Sequence, residues 1–175
     1  MDVMDAIKGR RSIRKYRADP VPEELMRALV EAEQWAPTGA DRQNWKFVVV
    51  TDPKLMRSVK RVSPMMWGEA PAAIFVCQDL TRSMAPPEGG SGGTTGFVSQ
   101  NIMLTAHSLG LGTCPIGGFN RAAARDLLDV PDDMVPLLLI TVGYPDETPE
   151  VRPRRPFSEV AYLNSCRKPW VVSDE

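Results

Sequence analysis

Histidine is almost absent from this chain of 175 residues: His107 is the only one. The three cysteines, Cys77, Cys114 and Cys166, are far apart and form no C-x-x-C pair. That leaves a poor supply of metal ligands, so no metal site is expected. An odd, scattered set of thiols suits a reducing compartment, and a cytoplasmic location is expected. Long hydrophobic runs are missing too. Lys46 to Thr51 and Pro136 to Val142 are strand-sized, far short of a membrane span. Acids and bases from Asp2 onward leave no signal-peptide core. Excess charge of either sign is lacking, with 21 Lys and Arg against 22 Asp and Glu. A dedicated nucleic-acid binder would usually be basic, so that class is disfavoured. With 43% hydrophobic and 25% charged residues, the chain reads as one ordinary globular domain.

The positive charge is concentrated instead. Lys8 to Arg17 reads K-G-R-R-S-I-R-K-Y-R, six cations without an acid. Ser12 sits among Arg10, Arg11 and Arg14, so hydroxyl and forked guanidinium donors could converge on one phosphate. The same stretch also suits a solvated basic arm or a non-specific nucleic-acid patch.

Helices and strands are mixed without strict alternation, which predicts an α+β fold. Pro22, Glu23 and Glu24 open a helix whose apolar face runs Leu25, Ala28, Leu29, Ala32, Trp35, Ala36, and Pro37 ends it. Lys46 to Thr51 reads as a central strand covered on both faces, and Ala72 to Cys77 and Pro136 to Val142 as further buried strands. Short helices are expected over Pro53 to Arg61 and Ala122 to Leu128. Ala85 to Gly96, A-P-P-E-G-G-S-G-G-T-T-G, reads as a flexible loop or lid. Phe97 to Leu109 is apolar nearly all round, a helix for a core or an interface, closed by Gly110. Pro115 to Phe119 reads as a turn where backbone approaches a flat ligand. From Tyr144 onward five prolines preclude a long regular element. Such an extended tail usually wraps something, a partner subunit being one candidate.

Four segments carry a resemblance: Arg10 to Tyr16 (R-R-S-I-R-K-Y), Ala36 to Phe47 (A-P-T-G-A-D-R-Q-N-W-K-F), Gly110 to Gly118 (G-L-G-T-C-P-I-G-G) and Arg152 to Pro156 (R-P-R-R-P). In this order and spacing they resemble the FMN-dependent nitroreductase family, from about Val3 to Tyr162. The resemblance implies an α+β fold with a mixed or antiparallel sheet, an intertwined homodimer, and FMN at each subunit interface. A single FMN-binding domain over 1–165 would carry a proline-rich tail over 144–175 that wraps the partner. Arg10, Arg11, Ser12 and Arg14 would hold the flavin phosphate, with Arg152 and Arg154 (or Arg155 in place of Arg154) as a second clamp. Pro37, Thr38 and Gly39 would approach the flavin from the other subunit, Gln43 would reach the ring or ribityl chain, and Pro115, Ile116, Gly117 and Gly118 would line the ring. No side chain is expected to be catalytic, flavin N5 being the reacting atom. NADH or NADPH would donate hydride transiently, and a nitroaromatic, quinone or enone would accept the electrons. Dehydrogenation or dehalogenation on the same scaffold, or a flavin carrier without turnover, are the alternatives. Asp41, Asn44 and Thr94 depart from residues common in the family. His107 and Cys114 are expected to pack, as are Trp35 and Trp45. Met65, Met66 and Trp67 suit either an apolar substrate pocket or a core cover.

Overall fold

The computed structural model describes residues 1–83 and 92–171, with backbone alone at Gly92–Thr94. A four-stranded antiparallel sheet in the order β1-β2-β4-β3 is built from β1 (Trp45–Val50), β2 (Ala72–Asp79), β3 (Gly112–Ile116) and β4 (Met134–Gly143). The helices are α1 (Val3–Gly9), α2 (Glu23–Gln34), α3 (Pro53–Val62), α4 (Gly92–Ser108), α5 (Arg121–Leu127) and α6 (Phe157–Val160). This is the expected α+β architecture.

The strand period of two divides the core between the sheet's faces. Ala73, Phe75 and Cys77 of β2 point into one cluster, where Met56 and Val59 of α3 and Ala124 of α5 cover them. Ala72, Ile74 and Val76 point the other way, onto Met26 and Leu29 of α2 and Val98, Ile102 and Ala106 of α4. Every residue of β2 is therefore buried, which explains its unbroken apolar run. Local chemistry sets the helix ends. Asp52 accepts from the Leu55 amide at 2.7 Å ahead of Pro53, and Asn120 accepts from Ala123 at 3.0 Å. Gly110, at φ 76°, takes the left-handed position that closes α4.

Several expectations need correction. β1 is an edge strand, not a central one, and it leaves Lys46 exposed on one face and Val49 on the other. Pro115 and Ile116 belong to a strand, β3, rather than to a turn; a proline is tolerated there because β3 is the opposite edge. Pro136 sits in β4 beside a register shift against Val76 and Cys77, the bulge that a strand proline requires. Of the loop expected over Ala85 to Gly96, 85–91 lies outside the described residues, while Gly92 to Gly96 open α4. The Thr94 side chain is likewise outside them. α4 is not buried all round in one chain, since Phe97 is 54% exposed. Trp35 does not pack, being 83% exposed at the end of α2. α1 had no counterpart among the expected elements.

Glu33 is the anomaly of the core. It lies on the buried face of α2 with no solvent exposure, and neither carboxyl oxygen has a hydrogen-bond partner. Burial pushes its pKa up from 4.5 to about 9, so the folded protein carries it as a neutral acid. The unfolded carboxyl releases its proton near 4.5, whereas the folded one holds it to about 9. Stability from this group is therefore full below 4.5 and declines as pH rises toward 9. Glu33→Gln keeps the shape without a titrating proton. Urea unfolding is expected to show the variant close to wild type at pH 5 and exceeding it by about 4 kcal/mol at pH 8. Parallel pH profiles for the two proteins would contradict this assignment.

Candidate functional site

The cationic segment is held as an extended strap against β3. Ile13 N–H donates to the Thr113 carbonyl at 2.9 Å, and Arg17 N–H to the Tyr144 carbonyl at 2.9 Å. The Tyr16 hydroxyl donates to the Ile13 carbonyl at 2.6 Å and also meets Thr141 Oγ1 at 2.8 Å; burial raises its pKa, keeping it a phenol. Glu147 accepts from the backbone amides of both Arg14 and Lys15. Gly112 is required by the close approach of the strap, because a Cβ there would lie 2.7 Å from Ile13 Cγ1.

Two cavities flank this strap along the β3 edge. The first, about 270 Å³, is lined by Gly9, Arg10, Arg11, His107, Thr113 and Glu147 among others. Arg10 is half-buried, and its guanidinium Nε is sequestered with no partner. Its pKa is lowered, first by burial and then by repulsion from Arg11 and Arg154. Arg154 in the tail is thus near enough to repel Arg10, though it is exposed, as are Arg152 and Arg155. Arg11 donates to the carbonyls of Lys8 at 2.6 Å and Arg10 at 2.7 Å, capping α1; part of its fork remains for a ligand. Glu147, the acid in this lining, is already committed to amides. Cations brought together with a buried, unpartnered donor and no counter-carboxylate fit a bound dianion such as the FMN phosphate.

The second cavity, about 200 Å³, is lined by Arg14, Met65, Trp67, Cys114, Pro115, Ile116, Gly117 and Gly118. Arg14 lies over the Trp67 ring, 5.6 Å from its centroid. A Cβ on Gly118 would meet Met65 Cγ at 2.5 Å, so the glycine keeps this wall thin. The Cys114 thiol pKa is raised chiefly by burial; a protonated thiol is a poor nucleophile. The β3 groove thus has two parts on either side of the strap: one carries Arg10 and Arg11, the other Arg14 with Met65, Trp67 and the backbone of 115–118. A phosphate in the first and a flat ring in the second fit that division.

Pro37, Thr38, Gly39 and Gln43 are not in this groove. They form a tight turn ahead of β1, with Thr38 Oγ1 accepting from Gln43 N–H at 3.0 Å and Asp41 accepting from Gln43 Nε2 at 3.1 Å. Ala40, Asp41 and Gln43 all have positive φ, at a cost of about 1 kcal/mol each. β1 and β3 are opposite edges of the sheet, roughly 14 Å apart at three strand spacings. One chain therefore does not bring this turn to its own groove. Asp41 pairs with Gln43 rather than Arg42, and Asn44 accepts the Asp79 amide through its carbonyl at 3.0 Å.

One contributor escapes the sequence: Glu147, because an acid in a proline-rich tail looks like surface. Trp67, open between pocket and cover, lines the second cavity, and Cys114 packs in the core as expected while bordering that cavity. His107 stands against Gly9, where a Cβ would lie 2.7 Å from its Nε2, at the phosphate end of the groove.

The model of the nitroreductase family matches residues 7–66 and 60–144. The chain belongs to the nitroreductase family. A Methanothermobacter thermautotrophicus protein whose name carries NADH dehydrogenase and NAD(P)H nitroreductase is 39% identical over 158 residues, 87% of this chain and 82% of that one. Among solved structures, a nitroreductase family protein from Clostridium difficile superposes with a TM-score of 0.82 at 26% identity, covering 94% of this chain and 99% of that one. The Vibrio harveyi NADPH:FMN oxidoreductase, solved with NAD+, gives 0.81 at 28% identity, covering 93% and 77%.

This nitroreductase-family chain should show the cost of its unopposed cations directly. In ligand-free, low-salt buffer, Arg10→Met is expected to melt no lower than wild type, since burial and repulsion are both relieved. Added inorganic phosphate should raise the wild-type melting temperature by about 2–4 °C and the variant's by much less. Equal rises by differential scanning fluorimetry would remove Arg10 from the anion site.

Proposed function

We propose that this chain is a cytoplasmic FMN-dependent oxidoreductase, taking hydride from NADH or NADPH and reducing an electron-poor acceptor such as a nitroaromatic, quinone or enone. The observation that carries the reading is the groove along β3, with Arg10, Arg11 and Arg154 massed at one end and an open, thin-walled cavity at the other. FMN, when bound, supplies the N5 atom that accepts hydride. Arg10, Arg11, Ser12 and Arg14 would hold its phosphate, with Arg152 and Arg154 (or Arg155 in place of Arg154) adding charge from the tail. Backbone groups of Pro115 to Gly118 line the ring, oriented dipoles that favour added electron density without a titrating side chain. Arg14 places a positive charge at the same end, and Met65 and Trp67 shield the reacting face from water.

The working unit is a homodimer in which the partner's Pro37-Thr38-Gly39 turn and Gln43 complete each site. The separation of that turn from its own groove supports this. So does the apolar surface one chain leaves open: Val3, Met4 and Ile7 on α1, Phe97 on α4, and Phe157, Val160 and Trp170 in the tail. The tail folds on itself, Trp170 lying edge-on to Phe157 at 5.6 Å and donating its backbone amide to Ala161 at 2.9 Å. That small apolar unit suits an embrace of the partner. Among the described residues no helix is long and apolar enough to cross a membrane.

A single cavity over the ring serves donor and acceptor in turn, so double-displacement kinetics are expected. The test is anaerobic titration of the purified protein with NADPH and NADH. The flavin absorbance is expected to bleach stoichiometrically with at least one of them and return on adding a quinone. Persistent colour with both nucleotides would overturn the oxidoreductase reading in favour of a carrier.

A further inference from the structure

A third cavity, about 350 Å³, is larger than either half of the groove and has no role in the proposal above. It lies behind the loop at residues 65–69. Met65 and Trp67 face the groove, whereas Met66 and Glu69 line this cavity. The same partition runs along the strap: Arg14 borders the groove and Arg17 the cavity, three extended residues or roughly 10 Å apart. Gly68, at φ 78°, lets the loop cross on the Arg14 carbonyl, where any Cβ would collide.

The lining has two characters. Met56, Met66 and Ala70 form a buried apolar floor. Arg17, Arg57 and Lys60 stand at the rim against one lining acid, Glu69. Glu69 is 87% exposed on its side chain and reaches Lys60 only at 3.6 Å, an exposed pair that a better anion displaces easily. Arg17 leans on Asp19 at 3.5 Å and on the Tyr144 ring. Arg57 has no ion pair among the described residues. Arg57 and Lys60 are three apart on α3, so their heads emerge on one side of the helix. A flat apolar floor beneath a cationic rim selects a base carrying a phosphate.

Resting on the flavin reading of the groove, we propose that this cavity receives the adenosine 2′-phosphate end of NADPH. The dinucleotide straddles the 65–69 loop, its nicotinamide in the groove and its 2′-phosphate on Arg57 and Lys60 with Arg17 beside them. These cations then make NADPH the preferred donor over NADH, because NADH lacks the group they bind. They touch neither the flavin nor the transferred hydride, so they set KM rather than kcat.

The experiment compares wild type with Arg57→Ala/Lys60→Ala and, as a milder variant, Arg57→Gln, using 2′,5′-ADP and 5′-AMP as calorimetric probes of the holoenzyme. Wild type is expected to bind 2′,5′-ADP at least tenfold tighter than 5′-AMP, and the double variant to lose that difference while keeping its flavin content and 5′-AMP affinity. In steady-state assays KM for NADPH should rise at least tenfold with kcat and the NADH parameters unchanged. Equal binding of the two probes to wild type, or undiminished 2′,5′-ADP binding in both variants, would overturn the proposal. If neither nucleotide reduces the protein yet 2′,5′-ADP binds in an Arg57- and Lys60-dependent way, the nucleotide cavity stands and the oxidoreductase reading alone fails.

Discussion

Cations without a counter-charge, gathered over a sheet edge, are the constraint around which this protein is arranged. Arg10 is partly desolvated and repelled by Arg11 and Arg154, a combination that costs free energy until an anion arrives. Much of the surrounding structure keeps those charges from relaxing apart. Thr113, Tyr144 and Tyr16 pin the strap to the sheet, and Glu147 spends its carboxylate on the amides of Arg14 and Lys15 instead of on a guanidinium. Its charge therefore orders the backbone without neutralising the site. The same economy explains why a flavoprotein needs so little histidine and no exposed thiolate at its centre: position and fixed charge do what a titrating side chain would otherwise do.

The sheet order has a second consequence. Because β1 and β3 are opposite edges, the strained turn at Pro37 to Gln43 lies away from its own chain's groove, which is why it is proposed to serve the partner's. Three residues in left-handed backbone are hard to explain as mere connection. Together with the uncovered apolar faces of α1, α4 and the tail, they make sense when two chains each lend the other a turn. The loop at residues 65–69 then gains a double role, walling the ring on one side and a basic cavity on the other.

Much of this was legible from residue order alone. The buried strands β2 and β4, the helices α2, α3 and α5, and the gathering of cations at Arg10 to Arg14 follow from periodicity, helix-end chemistry and charge. What escaped did so for physical reasons. Pro115 and the glycines beside it suggest a turn, and only pairing with β4 shows that the segment is an edge strand. The β-branched run of β1 reads the same whether one neighbouring strand or two cover it. Glycines at Gly92 to Gly96 weaken helix propensity, yet α4 begins there, since tertiary packing outweighs propensity. Glu33 sits in an acid-rich stretch that looks like solvated surface, and its burial is a fact of packing between α2 and α4. Arg154 and Glu147 share a tail whose sequence gives no hint that one acts on Arg10 while the other binds the strap.

On this account the phosphate, more than the ring, anchors the flavin. Titration of the flavin-free protein with FMN and with riboflavin, followed by flavin fluorescence quenching, tests it most directly. With several charge-assisted bonds to one dianion, FMN is expected to bind at least 100-fold more tightly than riboflavin. Comparable affinities for the two flavins would show that the cations along the β3 edge serve something other than the phosphate.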